Sequence, residues 1–201
     1  AGRTEALPAA AALLALWLAA PVLAWWISSP LKPRKEALSP EQARFLRRLA
    51  RKTWLFFEMF VTDEDHWLPP DNYQEYAIAA VAHRTSPTNM GLALLANLAA
   101  FDFGYISAGK LLERTRRALD TMMRLPRYKG HFYNWYDTTK LEPLSPLYVS
   151  TVDSGNLLGH IMVLKAGLRE VPESGTTAAQ VAAGLRDTLL LAEETAGSTL
   201  P

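Results

Sequence analysis

Residues 6–27 contain no charged side chain (27 − 6 + 1 = 22 residues), and an apolar run of this length constrains the chain more than any other feature. At ~1.5 Å rise per residue, roughly 20 residues of helix cross the hydrocarbon core of a bilayer. The run therefore predicts a transmembrane helix. A cleaved leader is the competing reading, but its basic region would rest on Arg3 beside Glu5, and the run outlasts the usual apolar core of a leader. Pro8 falls near the start and Pro21 inside, where it is expected to kink the helix. Trp25 and Trp26 stand where indole rings favour the headgroup interface, and Lys32, Arg34 and Lys35 follow. Positive charge collects on the cytoplasmic side of membrane helices, so everything beyond residue 28 is expected to face the cytoplasm. Residues 28–38, with Pro30 and Pro33, read as a stiff juxtamembrane linker, and residues 1–5 as a short N-terminal flank.

The remaining residues belong to a folding sequence. Of the 201 residues 49% are hydrophobic, enough to offset chain entropy by burial and to exclude wholesale disorder. Lys and Arg number 21 against 20 Asp and Glu, a balance that excludes a general nucleic-acid partner. With no cysteine there are no disulfides, thiolate metal sites or cysteine nucleophiles. The chain starts at Ala1 and its first methionine is Met59, which reads as a fragment of a longer polypeptide.

Beyond the linker the hydrophobic period is helical. Ser39, Pro40 and Glu41 supply a cap, a first-turn proline and an early acid. In the helix that follows, Leu46, Leu49, Phe56, Phe57 and Phe60 form one apolar face. Arg44, Arg47, Arg48, Arg51 and Lys52 occupy much of the rest. They read first as a solvated face and second as a contact with anionic lipid. A second helix over about 87–100 is apolar nearly all round and calls for burial on more than one side. A third starts after Ser107 and is amphipathic; a fourth, from Asp153 to about Leu168, is again mostly apolar; a fifth, about 177–194, is amphipathic. Inner and outer helices are thus expected to alternate.

The connections are unequal. Residues 102–106 and 170–176 are short turns, whereas residues 62–86 and 126–152 are long and each lead into an apolar helix. In antiparallel hairpins the long loops then share one end of the array, where a site is built. Asn89-Met90-Gly91 and Asp153-Ser154-Gly155 enter those two helices at an offset of 64 (153 − 89), each with a polar cap and a glycine.

The second long loop contains GHFYNWYDT at 130–138, in which aromatic side chains alternate with Asn134 and Asp137. It is expected to form a strand returning through residues 147–150 as a loose hairpin. Such mixtures suit sugars, because a ring covers the apolar face of a pyranose while amides and carboxylates take its hydroxyls. Burial against the helices is the alternative for each ring. The first long loop adds Asp63, Glu64, Asp65, His66, Trp67, Asp71, Asn72, Tyr73, Glu75 and Tyr76. Glycoside chemistry needs two carboxyl groups, about 5 Å apart for retention or roughly 6.5–9.5 Å for inversion. Asp153 is the first candidate by position, with helix capping as its other reading.

No GxGxxG, P-loop, GxSxG or HExxH motif occurs, and His66, His83, His131 and His160 lack metal-ligand spacing, so no cofactor or metal is expected in this segment. Asp102-Phe103-Gly104 matches a kinase motif by chance, since Thr85 stands where the catalytic aspartate would be.

Three longer stretches, HRTSPTNMGL at 83–92, LPRYKGHFYNWYD at 125–137 and YVSTVDSGNL at 148–157, resemble the glycoamylase-like module of bacterial cyclic β-1,2-glucan synthases. With the apolar helix, the resemblance covers about residues 6–170. It implies an all-α fold, a transmembrane helix followed by residues 39–201 as the N-terminal part of an incomplete (α/α)6 toroid, with a small β-hairpin in one long loop. It also implies a large inner-membrane enzyme whose separate transferase region uses UDP-glucose. In such an enzyme this module closes linear β-1,2-glucan into a ring by retaining transglycosylation. The expected partners are β-1,2-glucan, inner-membrane lipid and the remainder of the parent polypeptide. The motifs place Tyr133, Trp135, Tyr136, Asp137 and Asp153, with Asn89 and Arg84, on the sugar-facing wall. The catalytic acid/base and nucleophile are not identifiable and are expected beyond Pro201, which leaves the isolated segment inactive. A hydrolase of the same toroid type, a non-catalytic glycan-binding module and a membrane-anchored helical interaction protein are the alternatives.

Overall fold

The computed structural model describes residues 7–29, 37–76 and 78–198. The flank 1–5 and the basic cluster Lys32, Arg34 and Lys35 lie outside the described residues. Two compact units are present, divided after Ser39.

The first unit contains α1 (Leu7–Ser28), within one residue of the expected span. Its 22 residues run through Pro21 as one helix, and Ser29 closes the end by donating from Oγ to Trp25 O at 3.0 Å. Leu13, Trp17, Leu18, Trp25 and Ile27 all stand more than half exposed. An uncovered apolar surface of this length suits a membrane and is costly in water.

Among its described residues the second unit has five helices, as the periodicity predicts: α2 (Pro40–Phe60), α3 (Pro87–Asp102), α4 (Ala108–Arg124), α5 (Thr151–Ser174) and α6 (Ala178–Ser198). The caps follow side-chain chemistry. Ser86 accepts from Asn89 N–H, Ser107 from Lys110 N–H and Ser150 from Asp153 N–H. Thr177 and Gln180 form a reciprocal capping box at α6, Gln180 N–H to Thr177 Oγ1 at 3.1 Å and Thr177 N–H to Gln180 Oε1 at 3.4 Å. Asn89 and Asp153 are therefore not the caps. Each stands three residues inside a serine cap, and the repeat keeps its offset of 64 (150 − 86).

Helix α3 is the centre of the core. Nine of its sixteen residues are buried, among them Met90, Leu94, Leu98 and Phe101, which meet Leu111 and Met122 of α4 and Leu157 and Leu164 of α5. Helices α3 and α5 run parallel, since Thr88 meets Asp153, Gly91 meets His160 and Leu98 meets Gly167 in step along both. A β-carbon on Gly91 would lie 2.3 Å from His160 Nδ1 and 2.9 Å from its Cβ, so the two helices approach too closely for a side chain. Gly91→Ala is expected to cost ~1–3 kcal/mol through overpacking. A urea midpoint equal to that of the wild type would show that α5 does not seat against α3 in solution.

Helix α5 itself is less covered than its composition suggests. Val152, Leu158, Met162 and Val163 are each more than half exposed, the open flank an incomplete toroid leaves. Each face of α2 is covered only in part. Leu46 and Leu49 are about half exposed, whereas Phe56, Phe57 and Phe60 are partly buried. Among the basic residues Arg44, Arg48 and Lys52 are exposed, Arg48 and Lys52 pairing with Glu194 of α6, while Arg47 pairs with Asp187 at 2.8 Å and Arg51 is buried against Thr188 of α6 and Glu58 of α2 itself. The basic run is thus a partly solvated face, three members of which pair with acids of α6.

Three two-stranded ladders fill the long loops. These are β1 (Tyr73–Gln74) with β2 (Ala80–Val81), β4 (Arg127–Tyr128) with β5 (His131–Phe132), and β3 (Arg84–Thr85) with β6 (Tyr136–Asp137). The aromatic stretch is thus not one strand. Its first part closes a tight hairpin through Lys129 and Gly130, both at positive φ, as a two-residue turn with this twist demands. Its last part crosses to the other long loop, pairing Arg84 with Asp137 and Thr85 with Tyr136. Residues 147–150 form no strand, although Asn134 N–H still bonds Tyr148 O at 2.9 Å.

Candidate functional site

The parallel run of α3 and α5 brings two helix N-termini side by side, and the β3–β6 ladder folds both long loops over them. Free N–H groups and the positive dipole ends favour acceptor groups there. Thr88, in the first turn of α3, donates to Asp153 Oδ1 at 2.6 Å and accepts from Asn156 Nδ2 at 3.1 Å.

Asn134 is the junction above these helix ends. In the amide orientation that satisfies its neighbours, Nδ2 donates to Asp153 Oδ2 at 3.0 Å, while Oδ1 accepts from Trp135 Nε1 and from Tyr148 Oη, both at 2.7 Å. One buried amide therefore fixes a carboxylate, an indole and a phenol. Asp71 organises the other half. Its Oδ2 accepts from Arg84 Nη2 at 2.9 Å and Nε at 3.2 Å, and its Oδ1 from Asn89 Nδ2 at 3.3 Å. The Arg84 guanidinium then lies 4.8 Å from the centroid of the Trp135 ring and occupies one of its faces.

Arg84, Asn89, Trp135 and Asp153 are thus brought together, and Tyr133 stands beside them on the adjoining surface. Two other expected wall residues have different work. Tyr136 is fully buried, and its hydroxyl accepts from Tyr133 N–H and donates to Pro126 O, both at 2.7 Å; it is a core tyrosine that sets the loop. Asp137 closes a turn, its Oδ1 accepting from Thr139 N–H at 2.9 Å, Thr139 Oγ1 at 2.7 Å and Lys140 N–H at 2.9 Å. Asn134, Asp71 and Tyr148 join the site, although the family resemblance does not single them out as wall residues. The alternation of Asn134 with rings was the available signal for one; nothing local distinguishes Asp71 from the other carboxylates of its loop.

Burial opposes the charge on Asp153, but hydrogen bonds from Ser150 and Thr88 outweigh it and hold the carboxyl below its ordinary range. An ionised Asp153 accepts hydrogen bonds and is unsuited to donate a proton at neutral pH. Because the folded value is lowered, its contribution to stability is present above the unfolded value and is lost as pH falls through the folded one. The gap in urea midpoint between wild type and Asp153→Asn should therefore narrow as pH drops from ~6 to ~3. A gap that widens toward acid would contradict the assignment.

Among the described residues no cluster of His, Asp and Glu could hold a metal ion. No family model matches the chain. In fold it is similar to a glucoamylase-like protein from Bacteroides fragilis NCTC 9343, with a TM-score of 0.52 and 17% identity over 79% of this chain and 37% of the other. An endo-β-1,2-glucanase from Chitinophaga pinensis gives a TM-score of 0.50 with 17% identity, over 77% of this chain and 36% of that one. Paired helices with a loop-built site at the end of the parallel inner pair define the class: part of a glucoamylase-like toroid, the fold of a carbohydrate-active enzyme. In sequence, 137 residues, 68% of the chain, are 46% identical to cyclic β-(1,2)-glucan synthase NdvB of Rhizobium meliloti (strain 1021). Over that stretch the chain is similar to this cyclic β-1,2-glucan synthase, and it spans 5% of the length of that relative.

Proposed function

We propose that this chain supplies the membrane anchor and one wall of the sugar site in a cyclic β-1,2-glucan synthase, at the start of the module that closes linear β-1,2-glucan into a ring. The Asn134 junction carries this reading. It presents an indole face, a phenol and an ionised carboxylate at fixed positions, the combination a glucosyl unit needs for stacking and for hydroxyl recognition. A hydrogen-bonded, ionised Asp153 is unsuited to be the protonated member of a retaining pair and fits an acceptor of sugar hydroxyls, and on this reading both catalytic carboxyl groups belong to other parts of the parent polypeptide. The isolated segment is accordingly inactive. The parent sits in the bacterial inner membrane with this module toward the cytoplasm, beside the transferase region that consumes UDP-glucose.

Asp153→Asn in the full-length parent tests the wall. It removes a charged acceptor while keeping the size of the side chain, and ring formation is expected to fall ~10-fold, the scale of one hydrogen bond to a charged group. Unchanged ring output would reduce Asp153 to a helix-end contact. The fold shared with an endo-β-1,2-glucanase favours a second reading, hydrolysis with water as acceptor. Shortened linear chains in place of rings would establish it.

A further inference from the structure

Beside the wall, the β4–β5 hairpin and residues 147–149 enclose a separate concavity of about 490 Å³. Tyr128, Tyr133 and Tyr148 line it together with Lys129, His131 and Leu147. Its size falls within the ~300–1,000 Å³ of small-molecule sites, and its character, aromatic faces with a few polar tips, is that of a site for a neutral hydroxylated ligand. Tyr128 and Tyr148 are half exposed, at 52% and 47%, so their rings are presented to solvent rather than spent on the core. The Lys129 ammonium is 5.5 Å from the Tyr128 ring centroid, which places it over that ring.

Tyr148 joins this concavity to the wall. Its ring lines the pocket, while its hydroxyl ends on the Asn134 oxygen that also takes Trp135 Nε1. The hairpin is fixed from below as well, because Tyr133 N–H is held by the buried Tyr136 hydroxyl. A glucan lying on the Trp135 and Asp153 wall would reach the pocket by continuing past Tyr148, the residue the two share.

We infer that the Tyr128–Tyr133–Tyr148 pocket is an additional glucosyl subsite, which grips a β-1,2-linked chain one or more units beyond the wall and makes binding depend on chain length. The inference rests on the proposed sugar-binding role of the wall and adds a second point of contact to it. The test is affinity for linear β-1,2-glucan oligosaccharides of increasing length, measured on the full-length parent as wild type, Tyr128→Ala and Tyr128→Trp. In the wild type, affinity should rise with length until the pocket is filled. Tyr128→Ala should remove about 3- to 10-fold of that gain while leaving the shortest oligosaccharides unaffected, and Tyr128→Trp should retain the gain, because the ring rather than the hydroxyl makes the contact. Length dependence that persists in Tyr128→Ala overturns the subsite and leaves the wall intact. A wild type that binds no β-1,2-glucan of any length overturns both.

Discussion

Asp71→Ala is expected to lower ring formation by the full-length parent ~10²-fold, the loss that follows when substrate-positioning groups shift by about 1 Å. Asp71 is in contact with two residues of the candidate site at once. Its carboxylate receives both Arg84 nitrogens and the Asn89 amide, and its own N–H is tied to Ala82 O at 3.1 Å. Without that acceptor, the guanidinium over Trp135 has no partner on the loop and the Asn89 amide loses its stop. Asp71→Asn keeps an oxygen but loses the charge, so it should fall between alanine and wild type. The loss should appear in kcat as well as in KM, since a positioning residue acts on the geometry of the bound chain. Activity of Asp71→Ala within about threefold of wild type would show that Arg84 and Asn89 do not depend on it.

The reason Asp71 escapes a sequence reading also explains which parts of this fold are legible. Helices announce themselves locally. Ser39-Pro40-Glu41 starts α2 and Ser107 caps α4, because cap and period both lie within one or two turns of chain. The parallel inner pair is foreshadowed by a repeated pattern, although the cap is the serine three residues earlier in both copies. The site depends on pairing at a distance. Arg84 meets Asp137 across 53 positions (137 − 84), and two-residue strands carry no period of their own to predict it. Tyr136 shows the same limit within one motif. In sequence it is one more ring beside Tyr133 and Trp135, yet the ladder to Thr85 turns it into the core, where its hydroxyl is bonded on both sides. Which ring stays partly exposed and which faces the helices is decided by that ladder.

Arg114→Ala is expected to produce the largest loss of stability, ~3–5 kcal/mol, because it strips partners from one buried and one partly buried acceptor and removes packing between three helices. Arg114 lies on α4 and is buried, and burial pulls its pKa down from the ordinary arginine value. Its Nε donates to Asn97 Oδ1 of α3 at 3.0 Å, and its Nη2 donates to Phe57 O in the last turn of α2 at 2.8 Å. The guanidinium also stands 5.1 Å from the Trp54 ring centroid and 5.6 Å from that of Trp67, so it is enclosed by indole faces. An arginine suits this place because a planar, weakly hydrated cation can stack and hydrogen-bond in fixed directions together. Lysine carries its three donors on a single nitrogen and lacks the plane, so it cannot span both acceptors while stacking between the indoles, and Arg114→Lys should recover only part of the loss. Arg114→Met separates the two contributions: it restores volume between the indoles but leaves Asn97 Oδ1 and Phe57 O without the guanidinium. If hydrogen bonding dominates, methionine should be nearly as destabilised as alanine in urea; if packing dominates, it should approach wild type. A midpoint for Arg114→Ala equal to that of the wild type would mean that α2, α3 and α4 are held together by their apolar contacts alone.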